Sequence, residues 1–341
     1  MVRIKNTFTH QLALVILLTA LTAVSGEAQS WNPATAAGQT AQQASPDVTV
    51  KLIADQSHIV PGESFHIGVL IDIPQPWHIY WITPGDTGVA TMVEFDTPEG
   101  LQVGPLRYPA PERYTGAGNL VDHVYFDQVM LWARVDVASD MDVKAGQTLD
   151  IAARVDWLAC NKVCHEGQKA LELALPVGTM GEVQYTHTDL FRDYRDRTPV
   201  QLSPYSTPAV LADHRITSND DGNTMTIRLE LSLNNSHLNS GMEPEKNIQV
   251  FGAAPDGWLV KDLRYDLLAN RQGKTALQAQ VTFTPMRKAN RVSGDWFARQ
   301  WSHPDLGLVV SYVNRQGQRT GLVYKPRKNE QKQQRPDLRT D

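Results

Sequence analysis

Cys160 and Cys164 are the only cysteines in the 341-residue chain, and three residues separate them. Two thiols this close in sequence can form a disulfide, bind a metal ion together, or remain buried as ordinary thiols. A disulfide that closes so short a loop restrains little chain entropy, roughly 2 kcal/mol, and is a weak structural crosslink. Short, exposed disulfides are typically labile, which favours thiol–disulfide exchange while leaving a structural disulfide and a metal site open.

The ionisable side chains around the cysteines have opposite effects on the stability of a thiolate. Lys162 and His165 can stabilise it by their charge, whereas Glu166 opposes them. His165 next to Cys164 slightly favours Cys164 as the attacking thiolate, but the order of attack stays open. Cys160, Cys164 and His165 are also the ligand set of an alternative Cu(I) site, because soft thiolates suit copper(I).

The segments that position the cysteines have the period-two pattern of strands. Apolar residues alternate with polar ones over 149–157 and again over 171–175. We therefore expect the cysteines in a short connection, at the tip of a hairpin or near a sheet edge. Such a connection is exposed enough to meet another protein.

The same alternation recurs along most of the chain and predicts an all-β protein. The clearest strands cover 65–73 and 225–233, and turn signals such as Pro84-Gly85 recur about every ten residues. Further strands are predicted at 48–54, 79–81, 92–95, 129–137, 248–251, 258–263, 276–283, 308–313 and 320–324. This pattern favours an immunoglobulin-like antiparallel β-sandwich followed by a second, smaller β-sandwich-like domain.

Composition along the chain suggests its division into segments. The apolar run 12–24 follows Arg3 and Lys5 and precedes small residues, which is typical of a secretory signal peptide. The expected segments are a signal peptide (1–28), a flexible leader (29–47), a first domain (48–178), a linker with a short helix (179–202), a second β-rich domain (203–325) and a disordered tail (326–341). The second domain shows no cluster of chemically active residues, and we expect it to serve in docking or spacing.

Export and charge limit the classes of partner. Disulfides form and persist outside the cytosol, so a secretory signal is consistent with a working cysteine pair. The net charge is -5 with both signs interspersed. This balance gives no reason to expect nucleic acid as a partner.

Four motifs in order resemble the periplasmic N-terminal domain of the DsbD and ScsB group of thiol–disulfide interchange proteins. They are Trp77-His78-Ile79-Tyr80-Trp81, Pro84-Gly85-Asp86-Thr87-Gly88, Pro109-Ala110-Pro111-Glu112-Arg113-Tyr114, and Val155 through Cys160 and Cys164 to Gly167. The resemblance spans about residues 48–178. It implies an immunoglobulin-like domain with protein-disulfide reductase activity, a redox-active disulfide in place of a cofactor, and a periplasmic location.

The resemblance also implies partners. A membrane-embedded thiol reductase would supply electrons to the cysteine pair, which would pass them to exported disulfide-containing clients such as disulfide isomerases, cytochrome c maturation factors or copper-handling proteins. The ScsB branch is associated with copper tolerance, which keeps a copper-binding or interaction module as the alternative function. These 341 residues contain neither the membrane domain nor the thioredoxin-like domain of that group, so the reductant is expected to be a separate polypeptide.

In the group that the chain resembles, a cap loop with an aromatic residue covers the cysteine pair until a partner displaces it. The segment 112–116 is similar to that loop, which would make Tyr114 the cap aromatic and Glu112 an acidic neighbour of the thiols. Tyr80 and His165 would complete the pocket. The alternative is that Tyr114 and the run 77–81 only fill the hydrophobic core.

Overall fold

The computed structural model describes residues 45–202, 209–218, 224–254, 258–269, 273–286 and 307–325. The predicted signal peptide, most of the predicted leader and the predicted tail lie outside these ranges. Within them, no helix combines the length and the apolar character that crossing a membrane requires.

The N-terminal half is built from short antiparallel strands. They are β1 (Thr49–Ala54), β2 (Ser64–Asp72), β3 (Ile79–Gly85), β4 (Met92–Asp96), β5 (Leu101–Val103), β6 (Glu112–Thr115), β7 (Val121–Tyr125), β8 (Gln128–Val137), β9 (Thr148–Cys160) and β10 (Cys164–Pro176). The hydrogen-bonded orders are β1-β2-β8-β5, β10-β9-β4 and β3-β7-β6. A short 3₁₀ turn at Ala117–Asn119 connects β6 to β7.

Alternation of side chains places the core between these sheets. In β2, Phe65, Ile67, Val69 and Ile71 are at most 1% exposed, because every second residue of a strand points to the same face. The inward residues of β9 belong to the same hydrophobic cluster. Two sheet faces that share one core define a β-sandwich, and the predicted all-β, immunoglobulin-like class is confirmed.

The helix α1 (Thr188–Arg197) packs on the sheet that contains β2 and β8. Its Phe191 is 1% exposed, and a Cβ at Gly68 of β2 would approach the Phe191 ring to 3.2 Å. After the helix, Thr198 accepts a hydrogen bond from Trp132 Nε1 at 2.9 Å. A short helix thus lies within the segment 179–202, docked through a buried aromatic side chain.

The C-terminal half contains two more sheets. Its elements are β11 (Val200–Gln201), β12 (Ala209–Ser218), β13 (Met225–Asn234), a 3₁₀ turn (Asn235–His237), α2 (Pro244–Asn247), β14 (Ile248–Ala253), β15 (Trp258–Ala269), β16 (Lys274–Pro285), β17 (Gly307–Val313) and β18 (Arg319–Tyr324). The strand orders are β11-β18-β17-β14 and β12-β13-β16-β15, and the β11–β18 pair is parallel. Buried residues of both halves form one continuous cluster.

Several strands were not expected from the sequence. The strands β5, β6, β7, β11 and β12 were not predicted, because none shows a clear alternation over enough residues. The segment 112–116, expected as a cap loop, is instead the strand β6, which pairs with β7 and ends at Thr115. Pairing with a neighbouring strand, which local sequence does not reveal, turns this Pro- and Gly-flanked segment into the edge of a sheet.

Candidate functional site

The two cysteines close the end of the long β9–β10 hairpin. The register pairs Cys164 with Cys160 and continues without interruption to Pro176 opposite Thr148. A disulfide joins the two cysteines, whose Cα atoms are 4.1 Å apart. The turn contains only 161–163, and the Asn161 N–H donates to the Val163 carbonyl at 3.0 Å. The predicted position at a hairpin tip is confirmed.

Cys160 and Cys164 differ in their exposure to solvent, and the backbone of Cys160 is held by hydrogen bonds. Cys160 is 2% exposed, whereas Cys164 is exposed to solvent. The backbone of Cys160 is fixed by two hydrogen bonds to His78: the His78 N–H donates to Cys160 O at 3.0 Å, and the Cys160 N–H donates to His78 O at 2.9 Å. A thiol or thiolate that approaches from solvent therefore meets Cys164 first.

An aromatic cluster covers Cys160. Tyr80 and Val124 are buried with it, and Tyr114, Phe126 and Leu158 pack against this group. The His78 ring joins them, with its centroid 4.7 Å from that of Tyr114, 5.4 Å from that of Tyr80 and 5.6 Å from that of Phe126. The structure thus brings Tyr80 and Tyr114, both named from the sequence, together with Cys160.

The run 77–81 serves two faces at once. Trp77, Ile79 and Trp81 lie in the large core cluster, while His78 and Tyr80 lie on the opposite face, towards Cys160. The period-two geometry of a strand makes this division necessary. Core filling and pocket formation, which the sequence left as alternatives, are therefore both present in this one extended run.

The Pro84–Gly88 motif forms a turn that lies on Tyr80. Gly88 has a φ of +79°, and a Cβ there would be 2.2 Å from the Tyr80 ring, so only glycine fits. Thr87 fixes the turn, because its N–H and hydroxyl donate to the buried Asp122 carboxylate at 2.8 and 2.7 Å. The turn and the β6–β7 hairpin enclose the aromatic cluster from two sides.

His165 lies beside the pocket rather than in it. Its ring meets the Trp77 ring edge-on at 5.4 Å, and its Nδ1 is 3.1 Å from Ser45 Oγ. Its Nε2 is buried without a hydrogen-bond partner. The imidazole is therefore held next to the exposed Cys164 by contacts that the sequence did not predict.

Glu112 faces a different cavity, of about 300 Å³, whose lining includes Arg197, Arg319 and Phe126. Burial lowers the pKa of Arg319, and the charge of Glu112 opposes this effect. Phe126 separates this cavity from the cluster around Cys160. The structure thus places Glu112 on a cavity that it shares with Arg319, and its expected place beside the thiols stays a prediction.

The two ionisable rings nearest to Cys160, those of His78 and Tyr80, are uncharged near neutral pH. Burial lowers the pKa of His78, with Asp122 acting weakly in the opposite direction, so this imidazole is neutral. Burial also raises the pKa of Tyr80, against the effect of its hydrogen bond to Thr87. A buried position among neutral aromatic rings disfavours a thiolate at Cys160 and leaves the exposed Cys164 as the natural site of charge.

Sequence reasoning overlooked His78, Phe126 and Asp122. His78 could have been found, because it alternates with Tyr80 in the same extended run, 77–81. Phe126 and Asp122 belong to the unpredicted hairpin, and no local pattern marks them.

In the described part of the chain, no three His, Cys, Asp or Glu side chains converge as metal ligands. Both sulfurs of the alternative Cu(I) set are bonded to each other in this state.

The comparisons with known proteins agree with the motif analysis. Residues 49–176 match the family described as "Thiol:disulfide interchange protein DsbD, N-terminal". No curated protein matches the chain at a significant level.

Two solved structures are similar to this chain at low identity. The N-terminal periplasmic domain of ScsB from Proteus mirabilis is 15% identical with a TM-score of 0.48, over 82% of this chain and 94% of that one. The reduced DsbD N-terminal domain of Neisseria meningitidis is 13% identical with a TM-score of 0.23, over 40% and 88%. These likenesses are too weak to carry an argument, and the assignment depends on the sequence match. Over residues 49–176, the chain therefore carries a domain of the DsbD N-terminal family of thiol:disulfide interchange proteins.

Proposed function

We propose that this protein relays electrons by thiol–disulfide exchange through Cys160 and Cys164 in the periplasm. The electron donor is a membrane-embedded thiol reductase, and the acceptors are exported proteins with disulfides. One observation carries the proposal: a disulfide at a hairpin tip joins one exposed and one buried cysteine, within a segment that matches the thiol:disulfide interchange family.

The difference in exposure between the two residues supports the following roles in the loading step. A donor thiolate attacks Cys164 Sγ, the bond between the two cysteines breaks, and the electron pair leaves on Cys160 Sγ. A second donor thiolate then attacks the donor sulfur of the mixed disulfide and releases Cys164. The donor dithiol becomes a disulfide, and its two electrons and two protons end on Cys160 and Cys164.

In the unloading step, the reduced cysteine pair passes its electrons to a client protein. The Cys164 thiolate attacks a client disulfide and forms a mixed disulfide, and one client sulfur leaves as a thiolate. Cys160 then loses its proton and attacks Cys164 Sγ, which releases the second client thiolate. Because Cys160 reacts only with the neighbouring Cys164, its burial under Tyr80 and Tyr114 does not hinder this step, and it protects the sulfur from other oxidants.

The surface next to Cys164 suits a protein partner. Lys162 and Val163 form the turn of the hairpin, and Val163 is 45% exposed. An exposed apolar side chain beside a reactive sulfur offers contact area to a docking protein. A charged side chain on the same turn can contribute to the choice of partner.

The reduction potential of the pair tests the proposal directly. Equilibration of the protein in thiol buffers, followed by alkylation and mass measurement, should give a midpoint between about -270 and -120 mV, the span of known exchange proteins. A midpoint below about -300 mV is typical of structural disulfides and would overturn the proposal.

Serine variants test the order of attack. Cys160→Ser leaves the exposed Cys164 without its resolving partner, so we expect it to accumulate mixed disulfides with a disulfide-containing client. Cys164→Ser leaves only the buried Cys160, and we expect little mixed disulfide. Non-reducing electrophoresis measures both, and equal trapping by the two variants would contradict the assignment.

A further inference from the structure

The small sheet β3-β7-β6 has one face on the disulfide. Tyr80 of β3, Val124 of β7 and Tyr114 of β6 contribute side chains to the group that covers Cys160. The outer strands of this sheet are β3 and β6, and Tyr114 lies on the shorter of the two, β6. The cover over Cys160 therefore depends on where this four-residue edge strand lies.

The opposite face of the same sheet contacts the C-terminal half. The ring of Phe251 in β14 lies 4.7 Å from the ring of His123 and 5.9 Å from that of Trp81. Arg113 is paired with His123 across the β6–β7 ladder, which places both side chains on this face. One thin sheet thus separates the C-terminal half from the disulfide pocket.

Arg113 connects β6 to the C-terminal strands by three contacts. Its backbone N–H donates to Gln249 Oε1 at 3.0 Å, and its guanidinium donates to the Val250 carbonyl at 3.3 Å. The guanidinium carbon also lies 5.5 Å from the centre of the Tyr265 ring. All three partners belong to β14 or β15, while the next residue of β6, Tyr114, faces the disulfide.

We propose that Arg113 is a positioning residue: its bonds to β14 and its stacking on Tyr265 hold β6, and with it Tyr114, closed over Cys160. The C-terminal half thereby sets how often the buried sulfur becomes accessible. A short edge strand that is hydrogen-bonded to one neighbour opens easily unless its free side is held, and Arg113 holds that side. The functional consequence depends on the proposed exchange activity, whereas the effect on access to Cys160 does not.

The test compares the alkylation rates of the two cysteines in the fully reduced protein. Trypsin cleaves after Lys162 and separates Cys160 from Cys164, so mass spectrometry reports each rate independently. For Arg113→Ala we expect alkylation of Cys160 to accelerate about tenfold, the factor that corresponds to losing a guanidinium hydrogen bond and a cation–π contact. The exposed Cys164 should keep its rate and serves as the internal control.

Three further variants separate positioning from a general loss of structure. Arg113→Lys keeps a cation over Tyr265 and should restore most of the slow rate. Gln249→Ala removes only the acceptor of the Arg113 N–H and should give a smaller acceleration. Gln318→Ala breaks a different contact between the halves, to Asp193 of α1, and should leave the rate at Cys160 unchanged.

The double variant that combines Arg113→Ala with Tyr114→Ala gives the decisive result. If Arg113 acts through Tyr114, then Arg113→Ala in a Tyr114→Ala background should add no further acceleration. A wild-type rate at Cys160 in Arg113→Ala, equal acceleration of both cysteines, or full additivity with Tyr114→Ala would overturn the proposal. The two proposals can fail independently. If the protein does not perform thiol–disulfide exchange, its reduction potential will lie in the range of structural disulfides, while Arg113→Ala will still accelerate alkylation of Cys160.

Discussion

At the scale of single residues, Tyr114 is expected to control access to Cys160. Its ring lies 4.7 Å from that of His78 and 6.1 Å from that of Phe126, so its loss removes two aromatic contacts. Each contact contributes about 1 kcal/mol, and we therefore expect Tyr114→Ala to accelerate alkylation of Cys160 in the reduced protein by roughly tenfold or more.

The matched variant is Tyr114→Phe, which keeps the ring and loses only the hydroxyl. Its rate at Cys160 should stay close to that of the unchanged protein. If Tyr114→Ala alkylates Cys160 no faster than Tyr114→Phe, Tyr114 is a packing residue and not a cap.

At the scale of elements, the turn at Gly85–Gly88 is expected to hold Tyr80 in the pocket. A Cβ at Gly88 would overlap the Tyr80 ring, so Gly88→Ala must displace that ring in addition to straining a positive φ. Gly118, in the β6–β7 turn, also has a positive φ of 73°, but nothing lies within 4 Å of its Cβ position. Gly118→Ala should therefore cost only about 1 kcal/mol of backbone strain, and Gly88→Ala clearly more.

Chemical unfolding and cysteine alkylation together distinguish the two glycine variants. Gly88→Ala should lower the unfolding midpoint further than Gly118→Ala and should also accelerate alkylation of Cys160. Equal effects of the two variants on both measurements would show that the turn does not support the pocket.

At the scale of the whole molecule, His123 lies where the two halves meet, and it makes their association sensitive to acid. Burial lowers the pKa of His123 to about 4, from 6.5. Between these values the unfolded chain binds a proton that the folded protein does not, so stability is complete above pH 6.5 and falls as the pH drops towards 4. The expected loss is roughly 3 kcal/mol.

A variant without a titrating ring tests this assignment. His123→Asn keeps an N–H group near the Thr83 carbonyl, which His123 Nδ1 contacts at 2.7 Å, but it cannot gain a proton. Between pH 7 and about pH 4.5, its urea midpoint should fall less than that of the unchanged protein. His237→Asn removes an exposed imidazole and should leave the pH dependence as it was; an equal slope in all three proteins would contradict the prediction.

The long elements could be predicted because their pattern is local. The strands β2, β9 and β13 alternate over nine or more residues, and the α1 segment carries its own buried aromatic residues. The short strands β6 and β7 have no such pattern, and their existence depends on their pairing with each other and on the pairing of β7 with β3. For this reason the cap was expected as a loop, and Asp122 and Phe126 were missed.

By itself, the sequence determined the all-β class, the hairpin that presents Cys160 and Cys164, and the motifs that match the interchange family, because these depend on periodicity and on residue type. Only the tertiary structure decided that Cys160 is buried and Cys164 exposed, that Glu112 faces Arg319, and that one thin sheet lies between the disulfide and the C-terminal half. The physical reason is that exposure and contact arise from residues distant in sequence: His78 pairs with Cys160, and Arg113 reaches Val250, through strand packing that no local pattern encodes.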